Sequence, residues 1–297
     1  MYLQHFGLLR APFEMTPDPA FLYLGESHQE GLATLVYGVR SRKGFVMLTG
    51  EVGTGKTTLL HALLAQLDPN TAAAFVFNPR LGPLDFFRVL FDEFDIKTPC
   101  TTKAEYLIAF NKFLIERLER DHPTLLIIDE AQNLSPEMLE EIRLLSNLET
   151  PHSKLIQIML VGQPELEEMI GRQELRQLRQ RISLRFRLRP FDADEAEHYV
   201  QERLRLAGYT GKEIFKRGAL RRLYSLTNGI PRLLNVVCDG ALLLCYSRGQ
   251  ASVDSSEIDE VATDLGLLAR TDDDGLNAAD PSPRKGRWRS RLRSIFR

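Results

Sequence analysis

The chain is poor in cysteine. Its 297 residues include only Cys100, Cys238 and Cys245, which form no CxxC pair and no zinc-ligand spacing. A sparse, odd count argues against a disulfide framework and suits reduced thiols in a cytoplasm. Cys238 and Cys245 lie in an apolar helical pattern and read as small core residues. Long apolar runs are missing too: none approaches the ~20 residues that span a bilayer. Met1–Gly7 lacks the charged start and apolar stretch of a secretory leader. The body is therefore expected to be soluble and cytoplasmic, with peripheral attachment to the inner membrane left to its last residues. A strong charge of one sign is also lacking, since the net charge is −2. Residues 271–297 carry seven Lys or Arg against four Asp, which leaves a mildly acidic body of −5. Internal repeats are absent, which sets solenoids aside.

What remains is ordinary globular material, 43% hydrophobic and 26% charged, enough for a sizeable core in one large domain or a large and a small one. Five short apolar runs read as buried strands: Gly44–Thr49, Ala73–Asn78, Thr124–Asp129, Leu155–Gly162 and Leu184–Leu188. Segments of helical period lie between them, at Pro83–Phe94, Lys103–Arg120 and Pro136–Leu148. Strands alternating with helices imply a parallel sheet covered on both faces, an α/β fold. After Pro190 the pattern changes. Ala193–Ala207, Glu213–Thr227, Pro231–Tyr246 and Ser255–Leu268 all read as amphipathic helices, with Asp192 and Asp254 as caps and Gly208 as a stop. The expected division is a nucleotide-binding domain over 1–189, a helical lid over 190–268, and a linker and tail over 269–297. The polar linker is expected to be disordered.

The strongest chemical signal is Gly50-Glu51-Val52-Gly53-Thr54-Gly55-Lys56-Thr57, followed by Thr58. It matches the Walker A pattern G-x-x-x-x-G-K-[ST] and stands between a strand and the helical segment Thr58–Leu67. On ordinary residue frequencies a chance match in a chain this long is roughly one in a hundred. The glycines let the backbone fold so that successive N–H groups converge on phosphate oxygens. The helix start adds partial positive charge. Lys56 would reach the β- and γ-phosphates of ATP, and the Thr57 hydroxyl would ligate Mg²⁺.

A second element, Thr124-Leu-Leu-Ile-Ile-Asp-Glu130, is a buried strand ending in two acids. Carboxylates at the C-terminal edge of a parallel sheet stand where α/β ligands bind. Asp129 would hold the metal through water, and Glu130 would orient and deprotonate the attacking water. The glutamate favours hydrolysis over kinase chemistry. A third element ends in Gly162-Gln163-Pro164, whose amide can bond the γ-phosphate or the water, or simply cap the turn. Two arginine groups remain, Arg176-Gln-Leu-Arg179-Gln-Arg181 and Gly229-Ile-Pro-Arg232. A guanidinium fork suits phosphate, although either group taken by itself reads first as a solvated face. Arg185, Arg187 and Arg189 alternate with apolar residues and are expected to face solvent on a sheet edge.

With these residues in place, residues 1–268 resemble the AAA+ ATPases of the general secretion pathway protein A (ExeA-type) family. The resemblance rests on Tyr2, Phe6-Gly-Leu8, Pro12-Phe13, Pro17-Asp-Pro19, Phe21-Leu-Tyr23, His28, Gly44-Phe45 and the phosphate loop. It extends through Asp129-Glu-Ala-Gln132, Gly162-Gln-Pro-Glu-Leu166 and Asn228-Gly-Ile-Pro-Arg-Leu-Leu-Asn235. It implies a sheet of order 5-1-4-3-2, a helical lid, and ATP with Mg²⁺ held between them. It implies that Gln163 is the sensor-1 residue and that Arg232 is the sensor-2 arginine. It also implies that Arg181, with Arg179 as understudy, is a finger supplied to a neighbouring subunit, hence a homo-oligomer. Pro17–Tyr23 would lie near the adenine.

Secretion members of that family continue into a membrane-spanning helix and a periplasmic peptidoglycan-binding domain, and residues 269–297 read as neither. Instead, Trp288, Leu292, Ile295 and Phe296 fall on one helical face ringed by arginines, a stretch that reads either as docking on an anionic membrane surface or a membrane protein or as a disordered basic tail. The expected function is a motor or switch in cell-envelope assembly: secretion, pilus biogenesis or exopolysaccharide export. The alternative is a nucleic-acid-associated ATPase, such as a transposition or DNA-loading factor. The acidic body and the lack of a DNA-binding module argue against that alternative.

Overall fold

The computed structural model describes residues 2–15, 21–77, 82–151 and 153–268. The chain opens with helix α1 (Tyr2–Phe6) and α2 (Glu26–Arg40), then strand β1 (Phe45–Gly50), α3 (Lys56–Gln66) and β2 (Ala72–Val76). It continues through α4 (Pro83–Glu93), α5 (Lys103–Glu119), β3 (Thr124–Ile128) and α6 (Pro136–Leu145). Next come β4 (Gln157–Gly162), α7 (Glu165–Gly171), α8 (Arg176–Arg181) and β5 (Ile182–Leu188). Helices α9 (Ala193–Leu206), α10 (Arg217–Thr227), α11 (Pro231–Arg248) and α12 (Ser255–Asp264) complete it. Contacts divide these elements into two units, one of residues 22–191 with 230–232 and one of residues 1–21 with 192–229 and 233 onwards.

The first unit is built on a sheet of order β2-β3-β4-β1-β5 with every pairing parallel. Read from the other edge, this is the expected 5-1-4-3-2. Side chains of a strand alternate between faces, and here both faces are apolar because both are covered. Leu126, Ile128 and Leu160 pack with Phe86, Leu90, Phe110 and Ile142 on one side. Leu125, Ile127 and Val161 pack with Leu35, Leu59 and Leu63 on the other. Burying so many aliphatic side chains, each worth about 1.5–3 kcal/mol, holds the strand ends in register. All five strands therefore deliver their C-terminal ends to one edge. At Gly31 and Gly38 of α2, an added Cβ would lie 2.8 Å from Phe186 Cε1 and from Val46 Cγ2. The two glycines let that helix sit close against β1 and β5.

The second unit is helical. Asp192 caps α9 in a reciprocal box with Glu195. Gly208, at φ +89°, follows the end of α9. Cys238 and Cys245 are fully buried in the core, as expected. One expectation is corrected: residues 1–21 pack with this helical unit rather than with the nucleotide-binding domain. The reason is a set of specific anchors. The Tyr2 hydroxyl donates to Asp239 at 2.7 Å, and the Leu9 N–H donates to the Ala207 carbonyl at 2.9 Å. Phe13 meets Phe215 edge-on. The buried Arg203 donates to the Pro12 carbonyl and, at 3.1 Å, to the Tyr199 hydroxyl. Its guanidinium also lies 4.8 Å from the centre of the Phe21 ring.

Helix α10 starts at Arg217 rather than Glu213, because Phe215 forms a parallel bridge with Val253. Among the described residues no helix is long and apolar enough to cross a membrane. Residues 17–20, Asn78 and the expected linker and basic tail lie outside the described residues.

Candidate active site

The phosphate loop leaves β1 at Gly50 and enters α3 at Lys56, as its pattern requires. Gly53 and Gly55 hold φ of +82° and +98°, a region in which a Cβ is strained. A Cβ at Gly55 would also lie 3.0 Å from His28 Nε2. The Thr54 hydroxyl donates to the Glu51 carbonyl at 2.8 Å and tightens the turn. Lys56 is buried, and its Nζ donates to the carbonyls of Gly50 at 2.7 Å and Glu51 at 3.0 Å. Burial pulls the Lys56 ammonium below its ordinary pKa, opposed by Glu130, Asp129, Glu51 and Glu165. Val52 and Thr57 are exposed and Thr58 half-buried. Two glycines in the left-handed region and free N–H groups at the start of a helix suit a bound phosphate chain.

Asp129 and Glu130 follow β3 on the same edge. Asp129 is buried and accepts from the Glu130 N–H at 2.8 Å. Desolvation raises its carboxyl above the ordinary range, and that hydrogen bond lowers it in part. Both shifts have the same first cause, since burial disfavours the charged form of either group. Among the described residues no group of three or more His, Cys, Asp or Glu is placed to hold a metal. Thr57 and Asp129 are few donors, which suits Mg²⁺, since that ion takes most of its ligands from water and phosphate.

Glu130 has φ 52° and ψ 37°, left-handed values rare for a glutamate. Its Oε2 accepts from Gln132 Nε2 at 2.5 Å and from Gln163 Nε2 at 3.2 Å. The structure thus brings Gln163 to Glu130 directly. His28 on α2 lies with Nε2 2.9 Å from the Thr54 carbonyl, its ring tilted against Phe191. Neither Gln132 nor His28 drew a chemical role from spacing. Both belong to motifs shared with the family that the chain resembles, the only sequence signal they carry.

The arginines separate. Arg232 is exposed beside the loop: its N–H donates to the Gly53 carbonyl at 3.2 Å, and a Cβ on Gly53 would lie 2.6 Å from its own Cβ. Arg181 stands at the opposite edge of the sheet, before Ile182, which pairs with the start of β1 at Phe45. Its Nη1 donates to the Ser146 hydroxyl at 2.7 Å. Arg179 is exposed and donates to the Gly171 carbonyl at 3.0 Å. Arg185, Arg187 and Arg189 are exposed on or just past edge strand β5, and Arg187 and Arg189 have Glu51 and Glu30 as partners at 3.8 Å and 3.6 Å.

Residues 39–170 match the AAA domain family. Over 268 residues, 89% of this chain, the sequence is 42% identical to general secretion pathway protein A of Aeromonas hydrophila. The chain spans about half of that relative, 48% of its length. Among solved structures, Cdc6p from Pyrobaculum aerophilum superposes with a TM-score of 0.63 at 17% identity, over 88% of this chain and 73% of that one. The Aeropyrum pernix ORC2 protein, solved in ADPNP–ADP complexes, gives 0.60 at 17% identity, over 86% and 71%. These two likenesses establish a P-loop AAA+ fold and nothing narrower.

Proposed function

We propose that this chain, an AAA+ protein of the general secretion pathway protein A type, binds ATP with Mg²⁺ and hydrolyses it as a motor or switch in a cell-envelope assembly system. One observation carries the chemistry. A buried lysine on a glycine loop and a strand-end Asp129-Glu130 pair share one sheet edge, with a second strand tip supplying Gln163 to the glutamate. The loop residues Gly50–Thr58 cradle the phosphates, and Lys56 neutralises their developing charge. Mg²⁺ held by Thr57 and, through water, by Asp129 would polarise the phosphoryl oxygens. Glu130 accepts the proton of the attacking water, Gln163 fixes the glutamate, and Arg232 approaches from beside Gly53.

Phosphate release measured on the purified chain tests this reading. Lys56→Ala should abolish nucleotide binding or turnover. Glu130→Gln should keep ATP bound while turnover falls by roughly 10²-fold or more. Unchanged turnover in either variant refutes the assignment. The envelope role draws on the identity to general secretion pathway protein A, and the basic tail around Trp288 and Phe296 would supply the docking. A nucleic-acid role is favoured only by the exposed Arg185, Arg187 and Arg189. Turnover that rises sharply with duplex DNA and falls with salt would decide for it.

A further inference from the structure

Gln132 sits in the short 3-10 turn Ala131–Asn133 that follows β3. Hydrogen bonds from Asn133 N–H to the Glu130 carbonyl at 2.9 Å and from Leu134 N–H to the Ala131 carbonyl at 3.2 Å close that turn. The tight turn throws the side chain of Gln132 back over Glu130 and across to the tip of β4. Both ends of its amide are used there. Oε1 accepts from the backbone N–H of Gln163 at 3.1 Å, and Nε2 donates to Glu130 Oε2 at 2.5 Å. The amide cannot be flipped, because a backbone N–H can only donate and a carboxylate only accept. Gly162 makes room for the bridge: a Cβ there would lie 2.6 Å from Gln132 Oε1.

Glu130 is therefore constrained twice. Its backbone is left-handed, and its Oε2 receives two N–H donors, from Gln132 and Gln163. Oε1 is the oxygen left to take a proton. We propose that Gln132 is a positioning residue for hydrolysis, which clasps the tips of β3 and β4 and so fixes the rotamer of Glu130 and the oxygen it presents to water. This rests on the reading that Glu130 is the base. It assigns Gln132 no contact with nucleotide; the residue acts through Glu130. Displacing a catalytic group by about an ångström can cost roughly 10²-fold in rate, so loss of the clasp should appear in kcat and not in affinity.

The test compares the wild type, Gln132→Glu, Gln132→Met, Glu130→Gln and Gln132→Met combined with Glu130→Gln, measuring ATP turnover and affinity for a fluorescent ATP analogue. Gln132→Glu keeps the acceptor for the Gln163 N–H but loses the donor to Glu130. Its kcat should fall by roughly 10–100-fold while affinity holds within about threefold. In the Glu130→Gln background, Gln132→Met should change residual turnover little, because the group it acts through is already gone. Gln132→Glu turning over within about twofold of wild type would overturn the proposal. So would a loss matched by an equal loss of affinity, or one that persists undiminished on Glu130→Gln. A wild type that does not hydrolyse ATP, or a Glu130→Gln that does so normally, would overturn the base assignment and this proposal with it. If those two controls behave as expected, the Gln132 variants decide the clasp alone.

Discussion

The imidazole of His28 reaches from α2 to within 2.9 Å of the Thr54 carbonyl, so the phosphate loop is held from behind by a helix that contributes nothing to its sequence pattern. Nε2 must carry the proton, since a carbonyl can only accept. The ring is buried and lies tilted against Phe191. Loss of one partner from a buried hydrogen bond costs about 1–3 kcal/mol, and the loop would also lose its template. His28→Ala is expected to weaken ATP-analogue binding by roughly tenfold, with a fall of several degrees in the thermal midpoint. Titration and a melting curve check both. Unchanged affinity with lowered stability would confine His28 to packing.

Asp129 makes a prediction of opposite sign for stability and for function. Burial raises its folded pKa above the unfolded value. Between those two values the folded state binds more protons than the unfolded one, so this group's contribution to stability falls as pH rises through the window and stays unfavourable above it. Asp129→Asn keeps an oxygen for the Glu130 N–H and removes the desolvated charge. Without nucleotide, the variant should melt above wild type at pH 7, by roughly 2 °C, and the difference should close as pH is lowered through the raised pKa. Mg²⁺-dependent binding of ATP should be lost in the same protein. Melting scans from neutral to acidic pH, repeated with and without Mg²⁺–ATP, separate the two effects.

Arg203 governs a different unit. It is 7% exposed, and its guanidinium is spent on the Pro12 carbonyl, the Tyr199 hydroxyl and, at 3.4 Å, the Glu14 carbonyl. Charged hydrogen bonds contribute about 1.5–3 kcal/mol each, and these join the N-terminal segment to α9. Arg203→Ala should therefore expose residues 2–15 to limited proteolysis at a protease concentration that leaves them intact in the wild type. Arg203→Lys should protect only in part, because an ammonium lacks the planar fork that spans the partners. Equal protection in all three proteins would show that the anchors of Tyr2 on Asp239, Leu9 on Ala207 and Phe13 on Phe215 suffice.

The same residues show where reading the sequence succeeded and where it could not. β3 was legible because a strand covered on both faces has no polar alternate: Leu125, Leu126, Ile127 and Ile128 are all buried. Parallel order then followed from the helices between strands. Helix α2 left no clear trace, since Gly31 and Gly38 dilute its apolar stripe. Their purpose, close approach to Val46 and Phe186, is visible only once the sheet exists. The allegiance of residues 1–21 depends on Arg203 reaching the Pro12 carbonyl across 191 positions, which no local period encodes. At the site, Lys56 and the Asp129-Glu130 pair stood out because their chemistry fixes their spacing. Gln132 did not, because a 3-10 turn of three residues has neither helical nor strand period.

Arg181 combines a position suited to a neighbour's site with a contact inside its own chain. It precedes β5 at the edge where the strands begin, whereas the phosphate loop lies where β1 ends. With a rise of about 3.3 Å per residue, β1 alone separates the two by roughly 16 Å, beyond any arginine's reach, so a role in hydrolysis requires the ATP of a neighbouring copy. The guanidinium also donates to the Ser146 hydroxyl next to α6, which would suffice for a purely structural role. The variants separate these. If Arg181 is a finger, Arg181→Ala should lose turnover yet bind ATP normally. Mixing it with Lys56→Ala should restore part of the activity, since some assemblies then pair an intact finger with an intact loop. Ser146→Ala should stay near wild type. If Arg181 only braces α6, Ser146→Ala should reproduce the loss and mixing should restore nothing.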